Sequence, residues 1–226
     1  MASKENIMEL VHDNIEKAIH RSQHCQRNWD LSREIPQEDL DLILTSVTQC
    51  PSKQNIAHYK VHAITNRDII EAIHSHTEGF AVSYAPYKAE TNSQVLANLL
   101  LVFEAQPVTV ANDNIAVRND ETRMLEQDGT LSSEATEMLL RDRHMAIGIA
   151  ARYCNMTSSL LGYGTGCCAC YNGKAIQELL GLENEVVLMM GVGYKNPNLN
   201  RRIHHANHTF MFPTKPKQEI SVSWHK

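Results

Sequence analysis

Apolar positions recur at helical spacing in three places. In residues 5–20, Ile7, Leu10, Val11, Ile15, Ala18 and Ile19 form a stripe that predicts an amphipathic helix. Pro36 suits the opening of a second helix, because the first helical residue needs no amide donor, and Leu40, Ile43, Leu44 and Val47 supply its stripe. The longest signal runs from Ser133 to Leu161 and includes Met138, Met145, Ile149 and Leu160. Gly148 lies inside it at a propensity cost of about 1 kcal/mol, which close packing against another helix would explain. Shorter helices are expected at 68–76 and at 174–180, the latter closed by Gly181.

Strand signals lie between these helices. Tyr59, Val61 and Ala63 alternate with polar residues, Leu99–Phe103 is continuously apolar, and Val186–Val192 reads as a central strand. Pro51–Asn55 breaks the pattern as a loop, and the three glycines of 162–166 read as a turn. Residues 77–91, with Tyr84, Pro86 and Tyr87, look like an excursion over a cleft or interface, and 107–130 offers few anchors. This order predicts one α+β domain over 1–226, a sandwich with a mainly antiparallel central sheet flanked by helices. Residues 203–226 carry Phe210, Phe212, Ile220, Val222 and Trp224, and are expected to form an arm that packs on a partner subunit.

Composition narrows the class. The chain is 42% hydrophobic over 226 residues, enough for a sizeable core, and its net charge of -5 gives no basic nucleic-acid footprint. Apolar runs are too short for a membrane span. The six cysteines form no disulfide framework and no signal peptide is evident, so a reduced, soluble, cytoplasmic protein is expected.

Cys167, Cys168 and Cys170 crowd one segment, yet no second cysteine pair completes a zinc site. His204 and His208 have helical ligand spacing without the accompanying Glu of a metalloprotease, so no metal is expected. No Gly-x-Ser-x-Gly elbow supports a hydrolase. Asn55 offers both an amide donor and an acceptor, as the polar edge of a flavin ring requires, or it serves an Asx turn. Arg21 and Arg27, with Arg201 and Arg202, supply guanidinium groups suited to a phosphate if they converge.

Four ordered blocks carry a family resemblance: Cys25-Gln26-Arg27-Asn28-Trp29 followed by Pro36, Pro51-Ser52-Lys53-Gln54-Asn55, Asn92-Ser93-Gln94, and Gly162 through Asn172 with the strand ending at Gly193-Tyr194. Together they resemble the flavin-dependent nitroreductase family. The resemblance implies an FMN-containing homodimer with interfacial active sites and hydride transfer from NADH or NADPH to a small-molecule acceptor.

Residue by residue, it implies that Cys25 and Arg27 meet the cofactor, with Arg21 reaching the phosphate and His24 the alternative under a second anchoring. It places Pro51, Ser52 and Asn55 at the isoalloxazine edge, and Asn92 and Gln94 on the pyrimidine side. Ala169 and Cys170 fall at the family's glycine pair, where the Cys170 amide would face flavin N5. Arg201 or Arg202 would meet phosphate, and no amino acid is expected to act as a nucleophile. Ala57-His58-Tyr59 replaces the family's Gln-Pro-Trp. That departure leaves room for a specialised metabolite dehydrogenase or dehalogenase, or for a flavin-binding protein with little turnover. His58 is a candidate to shape substrate access.

Overall fold

The structure, a computed structural model, describes residues 4–81, 88–107, 130–214 and 216–225. Helix α1 spans Lys4–Ser22, α2 Gln37–Thr48, α3 Arg67–Ser75, α4 Ser133–Leu160 and α5 Gly173–Leu180. Strand β1 is Tyr59–Ile64, β2 Phe80–Ala81, β3 Lys88–Ala89, β4 Leu99–Ala105, β5 Gly164–Cys168 and β6 Val186–Gly193. Four of them form an antiparallel sheet in the order β1-β4-β6-β5, while β2 and β3 make a separate short hairpin. This is the mixed α+β architecture with an antiparallel sheet that the order of elements predicts. Tyr84, Pro86 and Tyr87, and most of the polar stretch from 107 to 130, lie outside the described residues.

Strand β4 is buried along its whole length, and its alternation divides the core. Leu100 and Val102 join Trp29, Ile70, Ile73, Ile176 and Met189 on one face. Leu99, Leu101 and Phe103 join Ile43, Val47, Ile147, Ala150 and Met190 on the other. Short polar side chains set the helix ends. Asn66 accepts from the amides of Asp68 and Ile69, Asn172 caps α5, and Gly181 closes α5 in the left-handed region at φ 62°.

Two local expectations change. The glycine stretch is mostly strand, not turn: Gly164 and Gly166 lie in β5, paired with Gly193 and Gly191 of β6. At Gly166 a Cβ would lie 2.6 Å from the Gln26 carbonyl, so glycine there lets the 25–29 segment lie against the sheet edge. Gly148 packs against no other element among the described residues, since a Cβ there would have none of their heavy atoms within 4 Å beyond its own turn of helix.

Candidate functional site

The 25–29 segment is held from several sides. The Gln26 amide donates to the Thr165 carbonyl at 2.7 Å, and the Arg27 amide to the Arg201 carbonyl at 3.1 Å. The Arg27 carbonyl accepts from the His205 amide at 3.1 Å and from Ser93 Oγ at 2.7 Å. Trp29 Nε1 donates to the Ser93 carbonyl at 2.9 Å, which locks the Asn92–Gln94 block to the same segment. The first, third and fourth sequence blocks therefore meet in space together with the Arg201 region.

Their cations gather at this junction. The half-buried Arg27 guanidinium lies 3.9 Å over the Phe212 ring. Burial pulls its pKa down; Cys25 opposes that, and Arg201 adds to it. Arg201 Nη1 donates to the Cys25 carbonyl at 3.3 Å, and the residue lines a recess of about 150 Å³ with Arg21, His24, Gln26, Asn155 and Lys195. Burial, then Arg201, lowers the His24 pKa, and burial, then Arg21, lowers that of Lys195. Arg202 turns elsewhere, donating from Nη1 to the Phe212 carbonyl at 3.2 Å. Among the described residues, none of Arg21, Arg27, Lys195, Arg201 and Arg202 has a carboxylate partner at ion-pair distance. Such a concentration of unneutralised positive charge favours an anion.

The recess adjoins the start of β5 at Gly164 and Thr165, whereas Arg27 feels Cys168 and Cys170 at the other end, where the chain passes through exposed Ala169 and Cys170. The Cys170 carbonyl accepts from the Glu78 amide at 2.8 Å, whereas its own N–H has no partner among the described residues. Burial raises the neighbouring thiols, Cys167 to about 12 and Cys168 to about 11, so both stay protonated at neutral pH. Asn92 is buried and spends its side-chain oxygen on the Gln94 amide at 3.2 Å. Gln94 packs its methylenes on Gly166 and makes no side-chain hydrogen bond among the described residues. Among those residues, no group of three His, Cys, Asp or Glu is arranged to hold a metal.

The second block lies apart. Pro51, Ser52 and Asn55 line a different, open cleft with Gln49, Cys50 and Lys60. Ser52 Oγ donates to the Ile56 carbonyl at 2.8 Å, and Asn55 takes a left-handed φ of 56°, which its short amide side chain tolerates. In a single chain none of these three joins the Arg27–Cys170 group.

His58 cannot shape access, since it is only 1% exposed. Tyr59 is likewise structural, donating from its hydroxyl to the Val47 carbonyl at 2.6 Å. Sequence reasoning missed Lys195, Gln26, Asn155 and Phe212. Each reaches the site through tertiary proximity; Gln26 lies inside the first sequence block, and no local motif marks the other three.

A model of the nitroreductase family matches residues 21–194. The chain belongs to the nitroreductase family. The matched span contains all four sequence blocks, and membership makes the protein an oxidoreductase of the flavin-dependent kind. Solved structures share the fold. A nitroreductase family protein from Clostridium novyi is 18% identical with a TM-score of 0.57, over 83% of this chain and 89% of that one. A candidate NAD(P)H:FMN oxidoreductase from Staphylococcus epidermidis is 16% identical with a TM-score of 0.59, over 82% and 89%. A chain from Exiguobacterium sibiricum, solved in complex with FMN, is 14% identical with a TM-score of 0.55, over 82% and 92%. Among curated proteins none matches.

Proposed function

We propose that the protein is an FMN-dependent oxidoreductase that takes hydride from NADH or NADPH and delivers it to a nitroaromatic, a quinone or a related electron-poor organic acceptor. The observation that carries this reading is a set of cations with no carboxylate partner among the described residues: Arg27, near a Cys170 amide that has no partner among them, and Arg21, Lys195 and Arg201 around the recess. The chain's residues fit FMN on the chemistry of its parts. Arg21, Lys195 and Arg201 would hold the phosphate in the recess with Arg27 alongside it, and the amide groups of Asn92, Gln94 and the Ala169–Cys170 backbone would suit the ring's polar atoms. When bound, FMN supplies the two-electron redox chemistry, and the protein supplies binding, orientation and electrostatics.

The recess of about 150 Å³ suits a phosphate and part of its chain, not a three-ring system. The ring is therefore assigned to the open surface over Cys170, completed by a second copy of the chain. Pro51, Ser52 and Asn55 of that copy supply the remaining polar edge, which accounts for their separation from Arg27 within one chain. We read the protein as a homodimer on this ground and on its uncovered helix faces: Ile7, Leu10, Val11 and Ile15 of α1, and Met145, Ile149 and Tyr153 of α4, are all exposed. The six free cysteines support a reducing, cytoplasmic location.

Anaerobic absorption spectroscopy tests the reading. Purified protein should carry, or bind on addition, an oxidised flavin absorbing near about 450 nm, and NAD(P)H should bleach it. Protein that neither carries nor binds FMN would overturn the proposal. FMN that binds but is not bleached would leave a flavin carrier in its place.

A further inference from the structure

The Pro51–Asn55 loop is tied to α4 by one polar contact among the described side chains: Lys53 Nζ donates to Asp142 Oδ2 at 2.5 Å. The two ends of this pair differ. The Asp142 side chain is 3% exposed and the Lys53 side chain 37%. Among the described residues, Asp142 Oδ1 has no hydrogen-bond partner, and a second cation, Arg141 Nε, lies 3.7 Å from it. His58 is buried close by, with neither ring nitrogen hydrogen-bonded among the described residues. A buried carboxylate on a long helix thus depends on a cation delivered by a loop.

That dependence resists movement of the loop. Withdrawing Lys53 would leave a buried carboxylate with only the longer Arg141 contact at 3.7 Å, which is unfavourable. Lys53 also sits within the turn that shapes Asn55: the Asn55 amide donates to the Ser52 carbonyl, and the Ile56 amide to the Lys53 carbonyl, each at 3.2 Å. Holding Lys53 therefore holds the left-handed Asn55 two residues on.

We infer that Lys53 and Asp142 are a positioning pair, which uses the rigidity of α4 to present Ser52 and Asn55 to the flavin bound by the second copy. The inference rests on the proposed function for its purpose, but not for its mechanics. Neither side chain is a catalytic residue, because both act through the loop.

The test compares wild type, Lys53→Arg, Lys53→Met and the double variant Lys53→Met/Asp142→Leu. The double variant removes the buried charge along with its partner, so it separates loss of the tether from the burial penalty and remains informative if Lys53→Met fails to fold. Two readouts apply to each protein: amide hydrogen exchange in peptides covering 51–57, and FMN affinity by fluorescence quenching. In Lys53→Met and the double variant, exchange at 51–57 should accelerate about tenfold and the FMN dissociation constant should rise about tenfold. Lys53→Arg should retain wild-type values, because it keeps the charge. A double variant with wild-type exchange and FMN affinity would overturn the inference. Wild type that binds no FMN would overturn the functional reading alone, and hydrogen exchange would still decide whether the pair holds the loop.

Discussion

At the scale of single residues, the site is defined by what each cation lacks. Arg27 has its backbone fixed by residues 93, 201 and 205, yet its guanidinium meets an aromatic face and, among the described residues, no carboxylate. Charge-assisted hydrogen bonds contribute roughly 1.5–3 kcal/mol each, so Arg27→Ala or Arg201→Ala should weaken FMN binding by about 10- to 100-fold. Arg202→Ala should change it by less than about threefold, because that guanidinium is directed at the Phe212 carbonyl. Cys170→Ser should leave affinity unchanged, since the proposed contact is the backbone N–H. Titration of apo-protein with FMN checks all four variants, and a large loss in Cys170→Ser would reassign the role to sulfur. The arginines and the cysteine cluster were readable as candidates. Lys195 was not, because nothing near it in the chain reveals its proximity to Arg21.

At the scale of elements, the C-terminal hairpin around 203–212 is locked by neutral histidines. His204 Nδ1 accepts from the Ala206 and Asn207 amides at 3.1 and 3.0 Å, while its Nε2 faces the Thr91 carbonyl at 3.1 Å. Those partners suit only a ring protonated at Nε2 alone. His205 Nδ1 accepts from the Trp29 amide at 3.1 Å, so protonation there breaks the link to the 25–29 segment. His74 packs against His204 at 5.9 Å; burial, then His204, His205 and Arg67, bring it down to about 4 from an ordinary 6.5.

A histidine with a lowered folded-state pKa binds its proton more readily when unfolded. Its contribution to stability is therefore intact above pH 6.5 and is lost as pH falls from 6.5 towards 4. Thermal melts between pH 7 and pH 4 should show a falling Tm, with a shallower fall in His74→Gln. Equal slopes in the two proteins would refute the assignment. The sequence showed an apolar C-terminal segment, but not that Phe210 and Phe212 bury themselves on their own chain beside Ala89 while Ile220, Val222 and Trp224 stay exposed.

At the scale of the molecule, the α1 and α4 faces read as apolar stripes remain in part uncovered. Ile15 is 42% exposed and Met145 50%, and Gly148 between the exposed α4 side chains meets open space. A second copy packed there would bury these residues and bring a second Pro51–Asn55 loop to Arg27. Light scattering should report a two-chain mass, and Ile15→Glu with Met145→Glu should shift it toward one chain and lower FMN content together. Loss of the dimer with full FMN retention would show that one chain holds the cofactor unaided.

Local pattern alone specifies the five helices and strands β1, β4 and β6, because periodicity and caps are local: Asn66, Asn172 and Gly181 act within a few residues of themselves. The sequence also carried enough of the four blocks to suggest a flavin oxidoreductase. Tertiary structure decided which polar groups meet. Gly166 became a strand residue because it pairs with Gly191 of β6, His58 became buried close to Asp142 and Arg143 of α4, and Arg201 and Arg202 parted company at adjacent positions. Local pattern specifies which face of an element is apolar or charged; only packing specifies what that face touches.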